Sequence, residues 1–175
     1  MRVISGEGKG RKLIKPSGDQ IRPTKDRVKE AIFNSLHSYA LISDNTFLDL
    51  FSGTGSLGIE ALSRGAKSVV FTDNHDEAIN CISLNVEKFG YSSETQIHRI
   101  DALSYLERKL FFDVVLLDPP YGFDDWKQTL ALIEARIIVI ESSRAIIPDH
   151  KWRTIKSQKY GQTHLLIATD STKSA

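Results

Sequence analysis

Residues 46–58 read Thr46-Phe47-Leu48-Asp49-Leu50-Phe51-Ser52-Gly53-Thr54-Gly55-Ser56-Leu57-Gly58. An apolar, β-favouring start followed by Gly-x-Gly-x-x-Gly predicts a strand, a tight turn and the start of a helix. Working outward, the chain keeps alternating. IEALSRG continues the helix and Gly65 stops it. SVVFTD is a strand, HDEAINCISLNVEKFG a helix ended by Gly90, TQIHRI a strand and ALSYLERKL a helix. FDVVLLD is a strand, DDWKQTLALIEA a helix and RIIVIES a strand. WRTIKSQKY and THLLIATD are two more strand-like runs, joined by Tyr160-Gly161-Gln162 as an antiparallel edge hairpin. Such alternation implies right-handed crossovers and a sheet covered on both faces. The expected fold is α/β: a doubly wound, mostly parallel seven-stranded sheet over residues 46–170.

Upstream lies a different composition. Residues 1–22 are rich in glycine and basic residues, and short apolar pairs (Val3-Ile4, Leu13-Ile14) flank Gly6, Gly8 and Gly10. They predict a basic, hairpin-like arm. Pro23 then precedes a helix of about sixteen residues within 23–40, with Val28, Ile32, Leu36 and Tyr39 on one face. Thr24 suits its N-cap and Asp26 its positive end.

The chain has 175 residues, 41% hydrophobic and 26% charged, which fits one globular domain rather than a disordered chain. A single cysteine, Cys81, excludes a disulfide scaffold and a cysteine-based zinc site. The five histidines show no metal-ligand spacing, so no metal is expected. No apolar run is long enough to span a bilayer, and the first residues lack a signal-peptide core. A cytoplasmic monomer is expected. The net charge of +1 hides an uneven distribution. Residues 1–30 carry +5, residues 151–175 carry +4 and the segment between carries −8. Basic ends are a footprint of nucleic-acid phosphate, although solvated tails have the same composition.

On such a sheet, ligands bind beyond the C-terminal ends of the strands. After the first strand, Gly53, Gly55 and Gly58 match a dinucleotide fingerprint, and Asp73 lies where a ribose-binding acid belongs. Asp49 argues against a dinucleotide, because an acid aimed at the cradle would repel a pyrophosphate. It suits a ligand with an ammonium or a sulfonium, such as S-adenosylmethionine. After the fourth strand comes Asp118-Pro119-Pro120-Tyr121. The prolines end the strand and fix the local carbonyls. An acid, a rigid carbonyl and an aromatic ring suit methylation of an exocyclic amine on a nucleobase. Two acceptors grip the amine hydrogens, and the ring stacks on the base.

These residues resemble class I S-adenosylmethionine-dependent methyltransferases, with LDLFSGTGSLGIEAL as first motif and DPPY as fourth. More narrowly, RVISGEGKGRKL, IRPTKDRVKEAIFNSL and KYGQTHLLI resemble the RsmD-type enzymes that methylate guanine N2 in 16S ribosomal RNA. The resemblance covers nearly the whole chain and implies a Rossmann-like fold. It implies that Asp49, Phe51, Ser52, Gly53, Thr54, Gly55 and Gly58 line the methionine end of S-adenosylmethionine. Asp73, with Asn74 beside it, would hold the ribose, and Asp101 and Ala102 the adenine. Asp118, Pro119, Pro120 and Tyr121 would grip the guanine. Arg2, Lys9, Arg11, Lys12, Arg22, Arg27 and Lys159 would meet ribosomal RNA, within the small subunit or its precursor. Two departures stand out: Asp73 replaces the family's usual Glu, and the segment before Ile137 is shortened and lacks a Pro-Gly turn.

Other residues read as ordinary structure. Trp126 and Trp152 suit packing rather than base stacking, Cys81 suits a buried helix face, and His75, beside Asp73, suits solvent with cofactor contact as the alternative. Glu60 reads as a surface helix charge. An adenine-N6 methyltransferase, a nicotinamide-dependent oxidoreductase and a non-catalytic RNA-binding factor are the alternatives. The acid-Pro-Pro-aromatic loop serves the first equally well and has no role in the second.

Overall fold

The computed structural model describes residues 1–15 and 26–172. Thr24, the expected N-cap, and Arg22 lie outside the described residues. The elements run α1 (Asp26–Ser38), β1 (Thr46–Asp49), α2 (Ser56–Ser63), β2 (Ser68–Asp73), α3 (Asp76–Phe89), β3 (Thr95–Arg99), α4 (Ala102–Leu106), β4 (Phe111–Leu117), α5 (Trp126–Leu132), β5 (Glu134–Ser142), β6 (Trp152–Tyr160) and β7 (Thr163–Asp170). One seven-stranded sheet has the order β3-β2-β1-β4-β5-β7-β6. The first five strands pair in parallel. The final hairpin folds back so that β7 pairs antiparallel with both β5 and β6.

The central strands read as unbroken apolar runs because successive side chains enter opposite cores. Val114 and Leu116 of β4 and Ile137 and Val139 of β5 join the core under α1, α2 and α3. Val115, Leu117, Ile138 and Ile140 join the core that holds Trp126, Leu130 and Trp152. Both tryptophans are therefore packing residues, as their sequence context suggested.

Three helices are shorter than their periodicity predicts. α1 ends at Ser38, Ala40 takes a left-handed φ of 54°, and Tyr39 is 51% exposed rather than on the buried face. α4 stops at Leu106, with Lys109 at φ 52° turning the chain into β4. α5 covers only Trp126–Leu132, because Ile133 is already extended and Glu134 pairs with Phe111 in the sheet.

Residues 1–13 do form a hairpin. The amide of Val3 donates to the Arg11 carbonyl at 3.1 Å, and that of Gly10 to the Val3 carbonyl at 2.9 Å. The hairpin lies on α2 and α3 instead of projecting from the domain. Val3 and Leu13 are buried, and the amides of Ile4 and Ser5 donate to the Glu60 carboxylate at 2.8 and 3.0 Å. Glu60 is thus a wholly buried anchor, which corrects its reading as a surface charge. It lies 3.4 Å from Lys29 Nζ and 2.8 Å from Arg64 Nε. Lys29, also fully buried, donates to the Arg2 carbonyl at 2.6 Å and to Ser56 Oγ at 3.1 Å. The arm, α1 and α2 are pinned by one knot of charges.

Candidate active site

Strand order reverses between β1 and β4, so a ligand crevice opens beyond their C-terminal ends. Asp49 is the last residue of β1, and Asp118 follows the last residue of β4. Both line one cavity of about 920 Å³. Of the fifteen residues expected to serve catalysis or cofactor binding, thirteen line it, and only Gly55 and Gly58 do not.

Those two glycines shape the loop from behind. Gly55 precedes α2 at φ 76°, a left-handed conformation that costs glycine little. Gly58 lets α2 lie tightly on β2, since a Cβ there would sit 2.2 Å from the Phe71 ring. Serine and threonine are spent on the scaffold. Ser52 Oγ donates to the Asp49 carbonyl at 2.6 Å and accepts from the Thr72 amide at 3.1 Å. Thr54 Oγ1 contacts Met1 Sδ at 3.2 Å, which brings the arm's first residue to the cavity wall.

The acids differ in environment. Asp49 is 1% exposed, and its Oδ2 accepts from the Gly58 amide at 3.0 Å. Burial pushes its carboxyl up to about 7; the charges of Asp118 and Asp73 push the same way, and the Gly58 bond opposes them. Asp73 is half-buried and accepts from the Gly53 amide at 2.9 Å and the His75 amide at 3.0 Å. Asp101 caps α4, with Oδ1 accepting from the amides of Leu103 and Ser104 at 2.9 and 3.2 Å. A carboxylate offers about four acceptor positions, so both acids have capacity for ligand hydroxyls or amines.

Tyr121 is 67% exposed at the mouth. The Phe123 amide donates to the Pro120 carbonyl at 3.2 Å and closes a tight turn. Below it, Phe51, Phe123 and Trp126 form an edge-to-face row with centroid spacings of 5.1 and 5.0 Å. This row gives the Asp-Pro-Pro-Tyr loop a rigid floor.

None of the six described residues expected to meet RNA lines the cavity. Arg27 sits over the Tyr160 ring at 6.0 Å, beside the β6–β7 turn, and Lys159 is exposed at that turn. Arg2 pairs with Asp26 at 3.2 Å. Arg11 donates to the Lys88 carbonyl and lies over Phe89, while Lys88 Nζ donates to the Lys12 carbonyl at 2.7 Å. The arm's tip, with Lys9, reaches Ser63 and Phe89 at the C-terminal ends of α2 and α3. In a parallel αβ fold that is the edge opposite the strand ends that carry the site.

The sequence reading missed Met1, Phe123 and the residues at the end of β5. Ser142, Ser143 and Arg144 line the cavity, as does Thr163 at the start of β7. Looking beyond every strand end, β5 included, would have found the first group.

A sheet in this order, with an acid-led glycine loop and an acid-Pro-Pro-aromatic loop at adjoining strand ends, has the architecture of class I methyltransferases. The chain belongs to the family described as "Conserved hypothetical protein 95", which matches residues 1–169. "Putative rRNA methyltransferase YlbH" of Bacillus subtilis is 40% identical over 154 residues, covering 86% of this chain and 82% of that protein. "Ribosomal RNA small subunit methyltransferase D" of Haemophilus influenzae is 36% identical over 174 residues, covering 92% and 89%. The solved structure of "Putative methyltransferase yhhF from Escherichia coli" superposes with a TM-score of 0.87 at 28% identity and covers 99% of each chain. Among the described residues no helix is long and apolar enough to cross a membrane.

Proposed function

We propose that this protein transfers a methyl group from S-adenosylmethionine to the exocyclic N2 amine of a guanine in small-subunit ribosomal RNA. The observation that carries the proposal is that Asp49, with its glycine loop, and the Asp118–Tyr121 loop open into one cavity. The naming of the related proteins as small-subunit rRNA methyltransferases supports the substrate class.

The residues fit the cofactor. Burial raises the Asp49 carboxyl to about 7, and a ligand bearing an ammonium and a sulfonium would supply a counter-charge. A pyrophosphate would meet Asp49, Asp73 and Asp101 with repulsion. Asp49 and the backbone of residues 51–54 would hold the methionine end. Asp73 would accept from the ribose hydroxyls, and Asp101 and Ala102 would meet the adenine. When bound, S-adenosylmethionine supplies an electrophilic methyl group on a sulfur that leaves as a neutral thioether.

The chain's own residues prepare the amine. An exocyclic guanine nitrogen is a weak nucleophile because its lone pair is delocalised into the ring. Asp118 and the Pro119 carbonyl accept its two hydrogens and favour pyramidal nitrogen. Tyr121 stacks on the base and holds the line of attack. The nitrogen gains one carbon and sheds one proton, which Asp118 would accept. A base reached this way must leave its stack, so the substrate presents it in a loop or an accessible helix end. Arg27 and Lys159, beside the mouth, would meet the flanking backbone.

The test separates chemistry from cofactor binding. Asp118→Ala should lower methyl transfer to small-subunit RNA by at least about 100-fold. Calorimetric affinity for S-adenosylmethionine should stay within about threefold of wild type. Full transfer by the variant would overturn the mechanism.

A further inference from the structure

We propose that Arg144 anchors a phosphate of the target nucleotide, and that Asp124 holds it ready until RNA displaces the pair. The inference rests on the reading of the cavity as an RNA methyltransferase site.

Its first support is placement. Arg144 stands two residues beyond the end of β5, the strand next to β4. Its guanidinium pairs with Asp124, three residues past Tyr121. The pair therefore bridges the two loops that flank the target-base end of the cavity. Ser142 Oγ donates to the Arg144 carbonyl at 2.5 Å and fixes where that loop leaves the sheet.

Its second support is charge. Seven of the described residues lining the cavity are Asp or Glu, and Arg144 is the one Lys or Arg among them. That balance suits a cationic cofactor and opposes a polyanion. A nucleotide whose base enters beside Asp118 must carry its phosphate past this acidic rim. Lys9 and Arg11 cannot offset the repulsion there, since the arm's tip contacts the far ends of α2 and α3. Arg144 is the basic side chain already in the cavity wall.

Its third support is exchangeability. The side chains of Arg144 and Asp124 are 59% and 76% exposed, so water screens the pair and little is lost when it opens. A phosphate presents the guanidinium fork with the same two-oxygen geometry as a carboxylate. RNA can replace Asp124 without leaving a buried charge unpaired.

The competing account is a pin that merely ties two loops together. The two accounts predict opposite signs for Asp124. We would measure filter binding of unmodified small-subunit ribosomal RNA between 50 and 200 mM KCl, and KM for that RNA in methyl transfer. Wild type, Arg144→Ala, Arg144→Lys and Asp124→Asn would be compared. A phosphate anchor predicts that Arg144→Ala weakens RNA about tenfold and lowers the salt slope by about one contact. S-adenosylmethionine affinity should not move. Arg144→Lys should recover part of the loss, because it keeps the charge but not the fork. Asp124→Asn should tighten RNA by about threefold, because it removes the competitor. If both Arg144→Ala and Asp124→Asn weaken RNA with an unchanged slope, the pair is a pin and the assignment is wrong. If wild type binds and methylates RNA and Arg144→Ala matches it, the assignment alone falls. If wild type neither binds nor methylates RNA, the assignment falls together with the functional reading.

Discussion

The backbone amide of Gly53 donates a 2.9 Å hydrogen bond to Asp73 Oδ2, tying the glycine loop after β1 to the end of β2. The second oxygen of the same carboxylate accepts from the His75 amide at 3.0 Å. Asp73 thus holds its carboxylate against the loop itself. Asp73→Ala should remove both bonds, at about 1 kcal/mol each, and a ribose acceptor with them. We expect urea denaturation to show a loss of about 1–2 kcal/mol and calorimetry a cofactor Kd at least about tenfold weaker. Unchanged affinity would remove Asp73 from the cofactor site.

Asp49 should make stability and cofactor binding respond to pH in opposite directions. Its carboxyl is raised by burial from 3.8 to about 7. Between those values the folded state keeps a proton that the unfolded state has lost. Stability should therefore fall as pH rises from about 4 to about 7, by up to about 1.4 kcal/mol per unit, and level off above. A cationic cofactor favours the ionised acid, so its affinity should rise over the upper part of that window. Asp49→Asn should flatten both profiles, gain stability at pH 8 and bind S-adenosylmethionine poorly. Denaturation and calorimetry at pH 5, 6, 7 and 8 check each part.

The knot of Lys29 and Glu60 should control the arm. Burial lowers the Lys29 pKa and the neighbouring Glu60 opposes that shift, so the lysine depends on its partner. Glu60→Ala should cost about 3–5 kcal/mol by leaving a buried charge unpaired. Cys81, the single cysteine, reports on the arm directly, because its thiol donates to the Ile14 carbonyl at 3.2 Å. Thiol labelling of the folded wild type should be slow. In Glu60→Ala, and more mildly in Glu60→Gln, it should quicken while circular dichroism keeps the α/β signature. Equal labelling rates would show that the arm stays docked without the knot.

Much of this was legible in the sequence where a local rule and the tertiary context agree. The run from Thr46 to Gly58 carries local signals for a strand, a turn and a helix, and Asp118-Pro119-Pro120 ends a strand by covalent geometry. What stayed hidden was non-local. Glu60 sits in a helix whose eight residues are all buried, and its partners come from residues 4, 5, 29 and 64. Nothing near Glu60 in sequence reveals that the arm will fold over it. Tyr39 kept helical spacing with Leu36, yet the left-handed Ala40 ends the helix first. Arg144 was missed for another reason: Glu141-Ser142-Ser143-Arg144 matches no motif, and only the pairing of β5 with β4 brings it to the site.

Gly58→Ala should show how tightly the loop is packed. The added Cβ would fall 2.2 Å from Phe71 Cε1, so the ring or the helix must shift. We expect a loss of about 1–3 kcal/mol in urea denaturation, with weaker cofactor binding as the Gly58 amide moves from Asp49. A neutral substitution would mean that Phe71 has room to rotate.

The most direct measurement is transfer of labelled methyl from S-adenosylmethionine to unmodified small ribosomal subunits and their naked RNA, followed by digestion to nucleosides. The account predicts label in N2-methylguanosine. Label in N6-methyladenosine, or none in either substrate with cofactor bound, would contradict it.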